Sequence, residues 1–292
     1  MKKTIYCILA LLLLAALVIG SVGCSSTEDL TKLASAEGRL RVATTTSLYD
    51  TGLWTYLEPR FEKEYDVKID ILPVGSGAAI TYGKNGDVDV LTVHDKPAEL
   101  QFIADNYAVE RVPFAYNYFI IVGPENDPAQ IQGLSPEAAF KKICETGSTF
   151  VSRGQSSGTY SKEQAIWKAA GYADYNAFKT DGISKGWYKL RGGGMGETLT
   201  MASDLQGYTL TDEGTYLAQK SGLDLVPLVE SGSIMLNVYS VIVCTKGKNP
   251  DMAQKLVDFL TSDKIQELID NYGKSTYGKS LFIKCAGNEP TS

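Results

Sequence analysis

The residues best suited to chemistry lie between Phe150 and Glu163, where Arg153 stands four positions ahead of Ser157, Gly158 and Thr159 at a predicted helix start. A helix start leaves its first N–H groups without partners inside the helix, and the positive end of the helix dipole adds to them. Arg153 contributes a permanent charge with forked donors, which suits the oxygens of a compact anion. Taken alone, the stretch reads equally well as a capped helix beside a surface arginine.

Two further loops supply donors. Thr45, Thr46 and Ser47 follow a predicted strand and precede a helix, and Gly75, Ser76 and Gly77 hold the equivalent place after the second strand. Ligands in open α/β sheets bind at this carboxyl edge. A tetrahedral oxyanion has acceptors on every side, so it is satisfied by donors converging from two directions. His94 and Asp95 occupy the same place after the third strand. Asp95 is expected to turn away and cap the helix near Pro97, because a carboxylate facing a dianion without a shared proton is repelled. His94 reads as a structural residue, Tyr239 more as a core aromatic than as a contact, and Arg191 as half of a surface pair.

Apolar runs rich in β-branched residues alternate with helical patterns along the whole chain. This is the pattern of an α/β protein with largely parallel sheets. Leu53, Trp54, Leu57 and Phe61 mark one face of the first helix, and Phe114 to Val122 is long enough to carry the chain between lobes. The expected organisation is a first lobe from 38–117 plus 242–285, a second lobe from 118–241, and a tail from 286–292.

The N-terminus has the form of an export signal: Lys2 and Lys3, an apolar run, then small residues before Cys24. Residues 1–23 are expected to leave as a lipoprotein-type signal peptide, with Cys24 lipidated and 24–37 acting as a tether. Ser21 departs from the aliphatic residue usual in a lipobox. A lipid-anchored protein at the extracytoplasmic face of the membrane follows. The net charge of −6 becomes more acidic once Lys2 and Lys3 are removed, so nucleic acid is excluded as a partner. With one histidine and widely spaced Cys144, Cys244 and Cys285, no Cys/His metal site is expected. The three thiols leave a disulfide open against buried free cysteines.

Several segments together are family-specific: 44–47, 74–77, 91–95, 116–124, 150–159, 195–199 and 208–216. In this order they resemble the tungstate-binding component of the Tup-type ABC importer, over nearly the whole chain after the tether. The resemblance implies a two-lobe type II periplasmic-binding-protein fold, each lobe a mostly parallel sheet flanked by helices, with the ligand in the interlobe cleft. It implies capture of tungstate, with molybdate as an equally shaped ligand, and delivery to the permease by a monomeric, non-enzymatic protein without a cofactor. Carried over by position, the contacts are Thr45, Thr46, Ser47, Ser76, Arg153, Ser157, Gly158 and Thr159, with Thr198 as a further candidate. The chain departs from the family pattern at Gln155, where a carboxylate is usual, at Tyr160, where histidine is usual, and at Tyr118, where an acidic residue is expected.

Two other functions compete. A phosphate-binding protein shares the spacing of Arg153 to Ser157, Gly158 and Thr159, and Asp95 offers an acceptor for a phosphate proton. A secreted serine hydrolase would need Ser156 or Ser157 as nucleophile and His94 as base, yet no Gly-x-Ser-x-Gly surrounds them.

Overall fold

The computed structural model describes residues 39–154 and 157–290. The expected signal peptide, Cys24, the tether, Gln155 and Ser156 lie outside the described residues. The described residues from 39 to 290 fall into one compact unit.

Three strand-to-helix steps open the chain. Strand β1 (Arg39–Thr45) runs into α1 (Thr46–Asp50) and α2 (Leu53–Tyr65), β2 (Lys68–Val74) into α3 (Ser76–Asn85), and β3 (Val90–Val93) into α4 (Lys96–Ala104). Because β1 pairs in parallel with both β2 and β3, the carboxyl ends of all three strands share one edge. The predicted apolar face of α2 is buried at Leu53, Trp54, Leu57 and Phe61. The run Gly75–Gly77 had looked like a loop, but α3 begins inside it. Two glycines conceal the helix, while Ala78, Ala79 and Ile80 sustain it.

The long strand β4 (Val112–Gly123) is followed by α5 (Pro136–Thr146), β5 (Phe150–Ser152), α6 (Gly158–Ala169), α7 (Tyr175–Ser184), β6 (Tyr188–Leu190), α8 (Met195–Asp204) and β7 (Thr209–Asp212). Then come α9 (Glu213–Gln219), β8 (Val226–Val229), β9 (Leu236–Val243), α10 (Pro250–Thr261), α11 (Asp263–Asn271), α12 (Lys274–Tyr277) and β10 (Ile283–Lys284). Through Tyr118, β4 pairs with β9, and Asn117 stands opposite Asn237. From Phe119 onward it pairs with β7 and β8 instead. One strand therefore serves two sheets.

The apolar cores divide at the same place. One gathers Leu40, Val42, Phe61, Ala115, Val241 and Ile269. Another gathers Phe119, Phe140, Phe150, Trp167 and Tyr188. The pairing is more mixed than strand–helix alternation implies: β1–β2, β1–β3 and β5–β6 are parallel, whereas β9 runs antiparallel to β3 and β4. β9 re-enters the first sheet directly, without a crossover helix to reverse it, so it meets β4 head to tail.

Cys144, Cys244 and Cys285 are free thiols. Among the described residues no helix is long and apolar enough to cross a membrane.

Candidate oxyanion-binding site

Four helix starts converge on one small cavity. Thr45, Thr46 and Ser47 bring the start of α1, Gly75 and Ser76 that of α3, Ser157, Gly158 and Thr159 that of α6, and Met195 that of α8. Arg153 and His94 complete the wall. The cavity volume is about 10 Å³, far below the roughly 300–1,000 Å³ typical of sites for drug-sized ligands, so the space suits nothing larger than a compact ion.

Local chemistry sets each side chain. Thr44 is spent on structure: its hydroxyl donates to the Thr92 carbonyl at 3.3 Å and accepts from Trp54 Nε1 at 3.0 Å, pinning the end of β1. Thr45 caps α1 by accepting from Leu48 N–H at 3.3 Å, and Ser157 caps α6 by accepting from Tyr160 N–H at 3.0 Å. Gly75 precedes α3 without any side-chain cap, which leaves first-turn N–H groups free. The Ser76 hydroxyl is fully buried and has no partner. A buried hydroxyl left unpaired costs stability, so a ligand acceptor is the natural occupant of that position.

Arg153 is 7% exposed, and among the described residues its guanidinium forms neither an ion pair nor a hydrogen bond. Burial pushes its pKa down, while Glu197 and then Asp50 push it back up. Arginine keeps its proton under such pressure, so the cavity holds a buried cation without a close counterion. The turn that presents it relies on Gly154, at φ +82, a conformation that favours glycine. Gly158 is required by close packing, because a Cβ there would lie 2.9 Å from His94 Cε1 and Nδ1.

The model of the PBP superfamily domain matches residues 31–264. The tungstate-binding protein TupA of Peptoclostridium acidaminophilum is 38% identical over 289 residues, covering 97% of this chain and 98% of the relative. The chain belongs to the TupA family. Two solved structures carry the same fold: the tungstate ABC transporter protein from Geobacter sulfurreducens and the tungstate-binding protein TupA from Desulfovibrio alaskensis G20. The first is 40% identical with a TM-score of 0.70, covering 82% of this chain and 100% of that one. The second is 35% identical with a TM-score of 0.67, covering 85% and 98%. The architecture is thus the two-lobe type II binding-protein fold.

For this TupA-family chain, the structure gathers Thr45, Thr46, Ser47, Ser76, Arg153, Ser157, Gly158 and Thr159 around one space. Thr198 stands apart: its hydroxyl donates to the Gly194 carbonyl at 2.9 Å, and Met195 of the same helix lines the cavity instead. Tyr239 is fully buried in the core, and its hydroxyl accepts from Asn237 Nδ2 at 3.0 Å. Arg191 pairs with Glu197 at 3.2 Å near the surface. Asp95 caps α4 by accepting from Ala98 N–H at 3.4 Å and takes a hydrogen bond from Ser161. It faces a wider cleft of about 540 Å³ beyond His94 and Gly158, which contains neither Arg153 nor the threonine loop.

His94 is the residue that sequence reasoning left out. Its Nε2 lies 3.2 Å from Ser47 Oγ, and burial drives its pKa down to about 4, so the ring is neutral at physiological pH. Its position after β3, matching Thr46 after β1, is the signal that points to the wall.

Proposed function

We propose that this chain captures tungstate in the cavity around Arg153 and hands it to the permease of an ABC importer. The observation that carries the reading is the buried, unpaired Arg153 facing the open hydroxyls of Thr46, Ser76 and Thr159. Donors and one cation serve an anion that has shed all its protons, as tungstate has near neutral pH. Molybdate has the same charge and shape and fits the same shell. The TupA relatives, which bear tungstate in their names, support this choice of ligand.

Hydrogen phosphate needs an acceptor for its proton, and no carboxylate lines the cavity among the described residues. Asp95, the one acceptor the phosphate reading relied on, is engaged by Ser161. For the hydrolase reading, Ser157 donates to the Gly154 carbonyl at 3.2 Å, while the imidazole faces Ser47 instead. In this reading the chain acts as a carrier and not an enzyme, as a monomer and without a cofactor.

The lobes of this reading meet at β4, and closure brings Arg153 onto the hydroxyl loops. Export and lipidation at Cys24 would place the carrier beside its permease at the outer face of the membrane. Calorimetric titration with tungstate, molybdate, sulfate and phosphate tests the ligand. Tungstate and molybdate should bind one per chain, and preferential phosphate binding would overturn the assignment. Intact mass of the membrane-extracted protein tests the anchor: a species retaining Met1 without an acyl chain rejects it.

A further inference from the structure

We propose that Glu163 is a positioning residue of the anion site, holding the Arg153–Gly154 turn in place through Ser152. The idea rests on the oxyanion reading of the cavity. Glu163 lies one helical turn beyond Thr159 on α6, and its carboxylate is 1% exposed. Among the described residues it has no ion pair; four donors converge on it instead. Ser152 Oγ donates to Oε2 at 2.6 Å. Oε1 accepts from Tyr188 at 2.5 Å and from Trp167 Nε1 and Tyr175 at 3.2 Å each.

Ser152 continues the path. Its oxygen accepts from Gly154 N–H at 3.2 Å, so the run Gly154 N–H to Ser152 O–H to Glu163 straddles Arg153. Gly154 occupies the left-handed region, and the Arg153 side chain finds no anchor among the described residues. The Ser152 link therefore stabilises this turn from outside its own backbone preferences. Glu163 also ties α6, whose first turn lines the cavity, to the end of β5, to Tyr175 of α7 and to Tyr188 of β6. Gly154, which directly follows Arg153, and α6, whose first turn lines the cavity, are thereby held to one carboxylate.

A carboxyl is the fitting group for this place, because its two oxygens accept from all four donors and neither carries an N–H. Burial without a counterion raises its pKa to about 7, a cost that a core residue with packing duty alone would avoid. Glutamine in its place turns an N–H toward one of the existing donors and breaks the sequence of bonds.

The test is calorimetric titration of tungstate into the full-length chain and into its Glu163→Gln, Ser152→Ala and doubly substituted variants, with thermal melts alongside. Each single change should weaken tungstate binding about tenfold, the scale of one lost hydrogen bond. The double variant should be no weaker than the weaker single one, because both changes break one path. Lower melting points with unchanged Kd in the folded variants would mean a purely structural role and would overturn the proposal, as would additive losses. If Glu163→Gln fails to fold, Ser152→Ala decides alone, and an unchanged Kd sinks the idea. Failure of the unsubstituted chain to bind tungstate or molybdate removes the oxyanion reading itself, and the positioning role with it.

Discussion

The wall built by α1 and α3 is neutral, with Thr45, Thr46, Ser47 and Ser76 standing directly on strand ends, whereas the facing wall carries Arg153 and is backed by the buried Glu163 network. The neutral wall needs little support, because a strand end followed by a helix start already aims hydroxyls and N–H groups at the sheet edge. Holding an uncompensated cation in place takes more. Gly154 makes the turn, Ser157 caps the helix, and a carboxylate one turn further in holds both to the strand. Charge and shape recognition are thus divided between the walls, and substitutions on the two sides should differ in size.

The charged wall should give the larger losses. Arg153→Ala is expected to weaken tungstate binding by roughly a hundredfold, about 3 kcal/mol, with the melting point little changed. Comparable affinity in the folded variant would remove Arg153 from the mechanism. Gly158→Ala drives a methyl group into His94 and separates the walls. Overpacking of this kind costs roughly 1–3 kcal/mol, so affinity should fall about tenfold and thermal stability should fall with it. On the neutral side, Ser76→Ala should cost only about 1 kcal/mol in binding, and it should leave stability equal or better because an unpaired buried hydroxyl is removed. A loss as large as that of Arg153→Ala would erase the distinction between the walls.

His94 separates the two walls by charge state. Its folded pKa is depressed to about 4 from 6.5, so its contribution to stability is complete above 6.5 and is lost as pH falls from there toward 4. Glu163 and Glu99 act with the opposite sign: raised to about 7 from 4.5, they favour the fold at low pH and lose that contribution as pH rises through 7. The chain has one histidine, so nuclear magnetic resonance reads it directly. No imidazole titration is expected between about pH 5.5 and pH 8, and a midpoint near the ordinary value would place a second cation in the cavity.

The neutral wall was readable from sequence because each of its residues follows its strand immediately. Arg153 with Ser157, Gly158 and Thr159 was readable for the same reason, one junction later. Glu163 and Trp167 are four residues apart on one helix, but nothing local shows that Ser152, Tyr175 and Tyr188 close around that glutamate. His94 was missed because its role depends on Gly158 packing against it from a distant part of the chain. Thr198 was a candidate by its position in the family resemblance, yet its hydroxyl is spent one turn back along its own helix. The start of α3 was hidden by its glycines, and the antiparallel return of β9 follows from chain connectivity that alternation alone does not encode.

A crystal structure of the tungstate complex, with tungsten located by its anomalous scattering, tests the central claim most directly. A single tungsten site should lie between Ser76 and Thr159, with the Arg153 guanidinium within hydrogen-bonding reach of its oxygens. Tungsten in the wider cleft beside Lys96 and Lys162, or a site that Arg153 does not touch, would contradict the account.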